Sequence, residues 1–80
     1  MNHLSGLPEN AIAIIENFDL DMISSSQITE LLELGFYPGA EILCLGSLPS
    51  LDKMLFLIGG TKVGLRISDC DHIQIKLKKE

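Results

Sequence analysis

Apolar and polar positions alternate with a period of two in several short runs of this chain, and follow a helical period in only one. Asn10–Glu16 (NAIAIIE) is the first expected strand, with Ile12 and Ile14 on one face and the small Ala11 and Ala13 on the other. Asn17–Met22 reads as a loop with Asp19 and Asp21 in water. Ser24–Leu34 reads as the helix. Ser24 is its N-cap and Gln27 the capping-box partner, while Ile23 and Ile28 stand at the staple positions. Ile28, Leu31 and Leu32 form its apolar stripe, and Gly35 is placed to end it in the left-handed region. Pro38–Gly39 is a turn signal. Ala40–Leu45, Met54–Ile58, Thr61–Ile67 and Ile73–Leu77 are four further strands, the middle pair joined at Gly59–Gly60 as a hairpin. In the fourth, Val63, Leu65 and Ile67 face inward and Lys62, Gly64 and Arg66 outward. In the fifth, Gln74, Lys76 and Lys78 take the wet face. Ser68–Asp71 has capping-box spacing and reads as one short helical turn. Five short strands and one inserted helix predict a mainly β fold, a small barrel or strongly curled sheet.

Two of these strands do not alternate. Ile42 and Cys44 face opposite to Leu43 and Leu45. Met54, Phe56 and Ile58 face opposite to Leu55 and Leu57, and the intervening loop adds Leu48, Pro49 and Leu51. Eighty residues make one domain with one interior, so a sheet apolar on both faces exceeds what the chain can hide. The helix and N-terminal segment cover part of the second face. The remainder is expected to form an exposed apolar patch of the kind that marks association with a partner or with a second copy.

Charge and composition narrow the function classes. The net charge is −5, but residues 1–52 carry −8 with no Lys or Arg and residues 53–80 carry +3. This balance, with no Trp and one Tyr, opposes a nucleic-acid binder, which needs a basic face or stacking aromatics. No apolar stretch reaches membrane-spanning length, and no basic-then-apolar run precedes Pro8, so the expected location is the cytoplasm. Two cysteines are too few for a stapled secreted fold, and both Cys44 and Cys70 read as core.

Candidate chemistry is sparse. Asp69, Asp71 and His72 are residue types that bind Fe²⁺ or Zn²⁺, but adjacent side chains rarely converge, and a buried Cys70 sends its neighbours apart. His3 is assigned no role. Glu30 and Glu33 share a helix face as solvated carboxylates. Ser24–Ser26 lack a His and Asp for a relay, and capping accounts for Ser24. Gly59–Lys62 (GGTK) lacks both the spacing of a phosphate loop and a helix after it. No nucleophile–base set is present, and the expectation is a non-enzyme without a resident cofactor.

Leu31–Ile42 (LLELGFYPGAEI) resembles the helix–turn–strand signature of the FeoA family, small cytoplasmic accessory proteins of bacterial ferrous iron transport. Val63-Gly64-Leu65-Arg66, followed by Cys70 and then by Ile73 and Ile75, resembles the family's second signature. Leu4–Pro8 (LSGLP) is similar to its start. The chain departs at Gly64 and Cys70, where alanine is usual, and at Gly46–Asp52, where a Gly-Asp-Pro element is common. The resemblance covers about residues 4–77. It implies an SH3-like barrel, related to the C-terminal domain of metal-dependent repressors, and a partner, the FeoB-type GTP-binding iron permease. The expected docking residues are Leu31, Phe36, Tyr37, Pro38, Leu43, Leu45, Leu48, Leu55, Leu57 and Arg66. A metal-responsive module using Asp69, Asp71 and His72 is the alternative implied.

Overall fold

A computed structural model describes residues 2–78. Its strands are β1 (Asn2–His3), β2 (Ile12–Phe18), β3 (Glu41–Leu48), β4 (Lys53–Ile58), β5 (Thr61–Arg66) and β6 (Ile73–Leu77). Its helices are α1 (Ser25–Leu34) and the single turn α2 (Ile67–Cys70), with 3₁₀ turns at Leu4–Gly6 and Pro49–Leu51. All strands lie in one antiparallel sheet of order β1-β6-β2-β3-β4-β5. The fold is mainly β, with six strands where the pattern predicted five. The extra one is β1, whose two residues pair Asn2 with Ile75 and His3 with Gln74. A two-residue strand carries no periodicity to read.

The curl is produced by two bulges. β2 shifts register against β6 between Ile15 and Asn17, and β3 shifts against β4 between Cys44 and Gly46. An inserted residue bends its strand and raises the local twist. The first bulge also corrects the sequence reading. It returns Phe18 to the interior after the exposed pair Glu16 and Asn17, so the strand runs on through what looked like loop. Gly46 takes φ 132° at the second bulge, and β3 continues to Leu48 rather than stopping at Leu45. The outermost strands β1 and β5 are not paired with each other. The seam between them is closed by packing, with Leu4 from the first 3₁₀ turn and Cys70 from α2 both fully buried. The β5 edge presents exposed Lys62 and Arg66, charges that discourage edge-to-edge pairing.

One face of the sheet fills the core. Ala13, Ile15, Ile42, Cys44, Met54, Phe56, Leu65, Ile73 and Ile75 lie there. Phe36 meets Phe56 edge to face at 5.8 Å between ring centroids. On β2 the core side is therefore Ala13 and Ile15, while Ile12 and Ile14 are half-buried on the other side. α1 begins as its sequence dictates. The Gln27 N–H donates to Ser24 Oγ at 3.3 Å, and the Ser24 N–H donates to Gln27 Oε1 at 3.0 Å. Gly35 closes it at φ 106°. Its stripe is narrower than expected. Leu31 is buried and Ile28 half-buried, but Leu32 and Leu34 face solvent. A ten-residue helix laid against the rim of a barrel has room for little more than one buried row.

Tyr37 to Ala40 form the predicted turn, with the Ala40 N–H donating to the Tyr37 carbonyl at 2.9 Å and Gly39 at φ 93°. Gly59 and Gly60 both take positive φ, as a tight two-residue hairpin requires. α2 departs from its predicted cap. Ser68 Oγ donates to Asp52 Oδ2 at 3.4 Å rather than starting the turn, and Ile67 belongs to α2 rather than to β5.

Candidate functional site

The outer face of the sheet is the first candidate. Leu43 lies between Ile12 and Leu57 across three strands, and Leu55 lies opposite Gly64, where its Cδ2 leans over the glycine. Leu43, Leu45, Leu55 and Leu57 are each half-buried. Leu43 and Leu57 stand directly opposite each other, the ordinary mode of side-chain contact on a sheet face, while Leu55 lies between Gly46 and Gly64 and Leu45 falls in the bulge. Tyr37 is 54% exposed, and Pro38 and Leu48 also face solvent beyond this patch. Arg66 is exposed opposite Lys53 in the β4–β5 register.

Two expected docking residues are corrected. Phe36 is wholly buried against Phe56, and Leu31 is buried as the inner row of α1. Each packs inward because the helix end and the Gly35 cap aim it at the core; Phe36 offers no side-chain surface, and Leu31 reaches solvent only where it helps line the cleft beside α1. Exposed apolar positions arise elsewhere. Leu20 and Met22, in the loop before α1, are 68% and 63% exposed, and Leu51 in the second 3₁₀ turn is 63% exposed. The run Asp19-Leu20-Asp21-Met22 carried this signal, because apolar residues between solvated acids in a loop have no interior to enter.

A cleft of about 180 Å³ lies between α1 and the β5–α2 corner. Met22, Leu34 and Leu65 are among its apolar walls, and Glu30, Arg66, Asp69 and His72 supply its polar groups. Ligand pockets for metabolites usually run to about 300 Å³ or more. This one has room for a side chain.

The predicted Asp69, Asp71 and His72 set does not come together. Asp69 and His72 line the cleft, while Asp71 is exposed outside it. His72 turns instead to Asp19, its Nδ1 standing 3.9 Å from Asp19 Oδ2, and His3 Nε2 approaches the same oxygen at 3.3 Å. Gln74 Nε2 donates to the other Asp19 oxygen, and the Asp19 N–H donates to the His72 carbonyl at 2.8 Å. These residues are far apart in sequence and meet only because β1, β6 and β2 are neighbours in the sheet, so no local motif announced them. Among the described residues, no group of three His, Cys, Asp or Glu side chains is arranged to hold a metal ion.

Cys44 and Cys70 are both free and buried, as expected. Burial pushes the Cys70 thiol up to about 12, and the Asp69 and Asp71 carboxylates add to the shift. A thiol held protonated and out of reach of solvent is not a nucleophile.

The FeoA domain model matches residues 2–77, nearly the whole chain. The chain belongs to the FeoA family. The family is associated with ferrous iron transport. Among solved structures, iron(II) transport protein A from Clostridium thermocellum is 28% identical, with a TM-score of 0.84 over 95% of this chain and 45% of its own. The present chain thus spans under half of that relative's length. The zinc-complexed FeoA of Stenotrophomonas maltophilia, described as a prokaryotic SH3 domain protein, is 29% identical, with a TM-score of 0.76 over 95% of this chain and 91% of its own. The cadmium-bound structure of ScaR shares the fold, with a TM-score of 0.81 at 18% identity over 95% of this chain and 35% of its own. Comparison with curated protein sequences finds no match. Among the described residues, no helix is long and apolar enough to cross a membrane.

Proposed function

We propose that this FeoA domain is a non-enzymatic accessory module of ferrous iron uptake that docks on the cytoplasmic part of a FeoB-type GTP-binding permease. The observation that carries the reading is an SH3-like barrel of an iron-transport family whose apolar residues outnumber the places its interior can offer them. Tyr37, Pro38 and Leu48 are exposed, Leu43, Leu45, Leu55 and Leu57 are half-exposed, and Arg66 adds a cation near one rim. Large side chains held outward at a cost in solvation need a compensating contact, and a protein partner supplies it. The polar groups support binding over catalysis. The buried Cys70 thiol stays protonated, and the α1–β5 cleft is small for a substrate. Cytoplasmic residence follows from the proposed partner face.

The test is direct. The domain is mixed with the permease's cytoplasmic GTP-binding portion, and capture, GTP hydrolysis and, in vesicles, Fe²⁺ uptake are measured with and without it. Capture together with a change in hydrolysis or uptake is the expected result. No capture and no change in either activity would discard the reading.

A further inference from the structure

The cleft between α1 and the β5–α2 corner has a composition that neither the barrel core nor a resting surface explains. Its walls include Met22 and Leu34, both substantially exposed, so the apolar part is already open to water. Two carboxylates stand in it, Glu30 from α1 and Asp69 from α2, and neither makes a hydrogen bond or ion pair with another described residue. Arg66 shares the cleft and is likewise unpaired. The stretch that supplies the helix wall carries no Lys or Arg, since the charged residues of 17–35 are Asp19, Asp21, Glu30 and Glu33. Asp19 is engaged by the two histidines, and of the other three only Glu30 lines the cleft. On the other side Arg66 stands on the same wall as Asp69, so with Glu30 from α1 the cleft holds two carboxylates to one guanidinium.

We propose that this cleft seats one apolar side chain of a partner protein's segment in which that side chain is flanked by Lys or Arg. Its volume of about 180 Å³ admits a side chain rather than a metabolite. The apolar anchor would lie on Met22, Leu34 and Leu65, and the flanking cations would meet Glu30 and Asp69. Complementary charge steers such a segment to the site and fixes its register, while the apolar contact holds it. This chain contains one stretch of the same chemistry, Lys76-Leu77-Lys78 at the end of β6, but the fold already uses it. Leu77 is in register with Ala13, and Lys78 Nζ donates to Glu41 at 2.7 Å. The occupant is therefore assigned to another protein. The assignment rests on the docking reading above and specifies its face and its chemistry.

The experiment is a titration of the isotope-labelled domain, followed by backbone NMR, with a synthetic heptapeptide of alternating leucine and lysine. Its leucine–glutamate counterpart serves as control. Shifts clustered on Met22, Glu30, Leu34, Arg66 and Asp69 are expected, with at least ten-fold weaker response to the glutamate peptide and weakening by added salt. Glu30→Lys with Asp69→Asn, a pair of surface changes whose folding is checked by circular dichroism, should remove the response. Leu51→Ser, outside the cleft lining, should leave it intact. Equal response to both peptides, shifts centred on Leu48 and Leu51, or a solution dimer that covers the cleft with a second copy would each overturn the proposal. The permease capture assay separates the two readings. Capture indifferent to Glu30→Lys with Asp69→Asn removes the cleft assignment and leaves docking standing. Absent capture with a cleft-centred peptide response removes the permease and leaves the cleft.

Discussion

Gly35 and Gly39 both sit at positive φ, 106° and 93°, yet a side chain would meet different surroundings at each. At Gly39 an added Cβ meets nothing within 4 Å, so Gly39→Val carries backbone strain alone, about 1–3 kcal/mol. At Gly35 the same atom would lie 2.8 Å from Ile58 Cγ2. Gly35→Ala therefore combines strain with a clash against a half-buried, branched side chain, and urea unfolding should place it below Gly39→Ala in stability. Cys70 gives a prediction in pH. The folded thiol keeps its proton to about 12, against an ordinary value of 9.0. Below 9 both states are protonated and the group contributes no pH dependence. Between 9 and 12 only the unfolded chain loses the proton, so stability falls as pH rises, by as much as about 1.4 kcal/mol per unit from this group. Unfolding midpoints measured from pH 8 to 11 should drop more steeply in the parent than in Cys70→Ala, and parallel curves for the two would refute the assignment.

Among the elements, α1 was the most legible because its ends are written in local chemistry. Ser24, Gln27 and Gly35 act within a few residues of themselves, and their hydrogen bonds form as the spacing demands. Ser24→Ala should cost about 1 kcal/mol through the lost cap, read as a shift in urea midpoint with an unchanged m-value. Leu32 shows the limit of the same reasoning. Its helical spacing from Ile28 matched the buried stripe, but which side of a stripe meets the barrel depends on where the barrel stands. The strands follow the same division. β4, β5 and β6 were found within a residue at each end, since alternation and the Gly59–Gly60 turn are local signals. β2 was placed two residues early at both ends and β3 was ended three residues early, because their bulges break alternation and are fixed by the partner strand's register. The candidate site was less legible than the fold for that reason. Arg66 could be read as outward-facing, but the Asp19 bracket and the α1–β5 cleft are products of strand order, which no spacing encodes.

At the scale of the molecule, the two groups of outward apolar residues should separate when they are made polar. Leu43, Leu45, Leu55 and Leu57 are half-buried, Leu43 and Leu57 directly opposite each other, so a carboxylate at that pair loses cross-strand packing and is itself partly desolvated. Leu43→Asp, with Ile12 and Leu57 on either side of it, should destabilise the barrel by about 2 kcal/mol or more, and its effect on partner capture would follow from unfolding. Tyr37, Leu48 and Leu51 are exposed already. Replacing them together by serine removes little buried area and should move stability by no more than about 1 kcal/mol. If the surplus apolar surface exists for a partner, that triple variant loses capture by the permease's cytoplasmic portion while its circular dichroism stays that of the parent and its melting point falls by no more than about 8 °C. Full capture by the folded triple variant would confine docking to the α1–β5 side, where the exposed Met22 and Leu34 flank the cleft. The distinction is carried by exposure. A residue that packs on its neighbours reports on the fold when substituted, and one that packs on nothing reports on what else the surface touches.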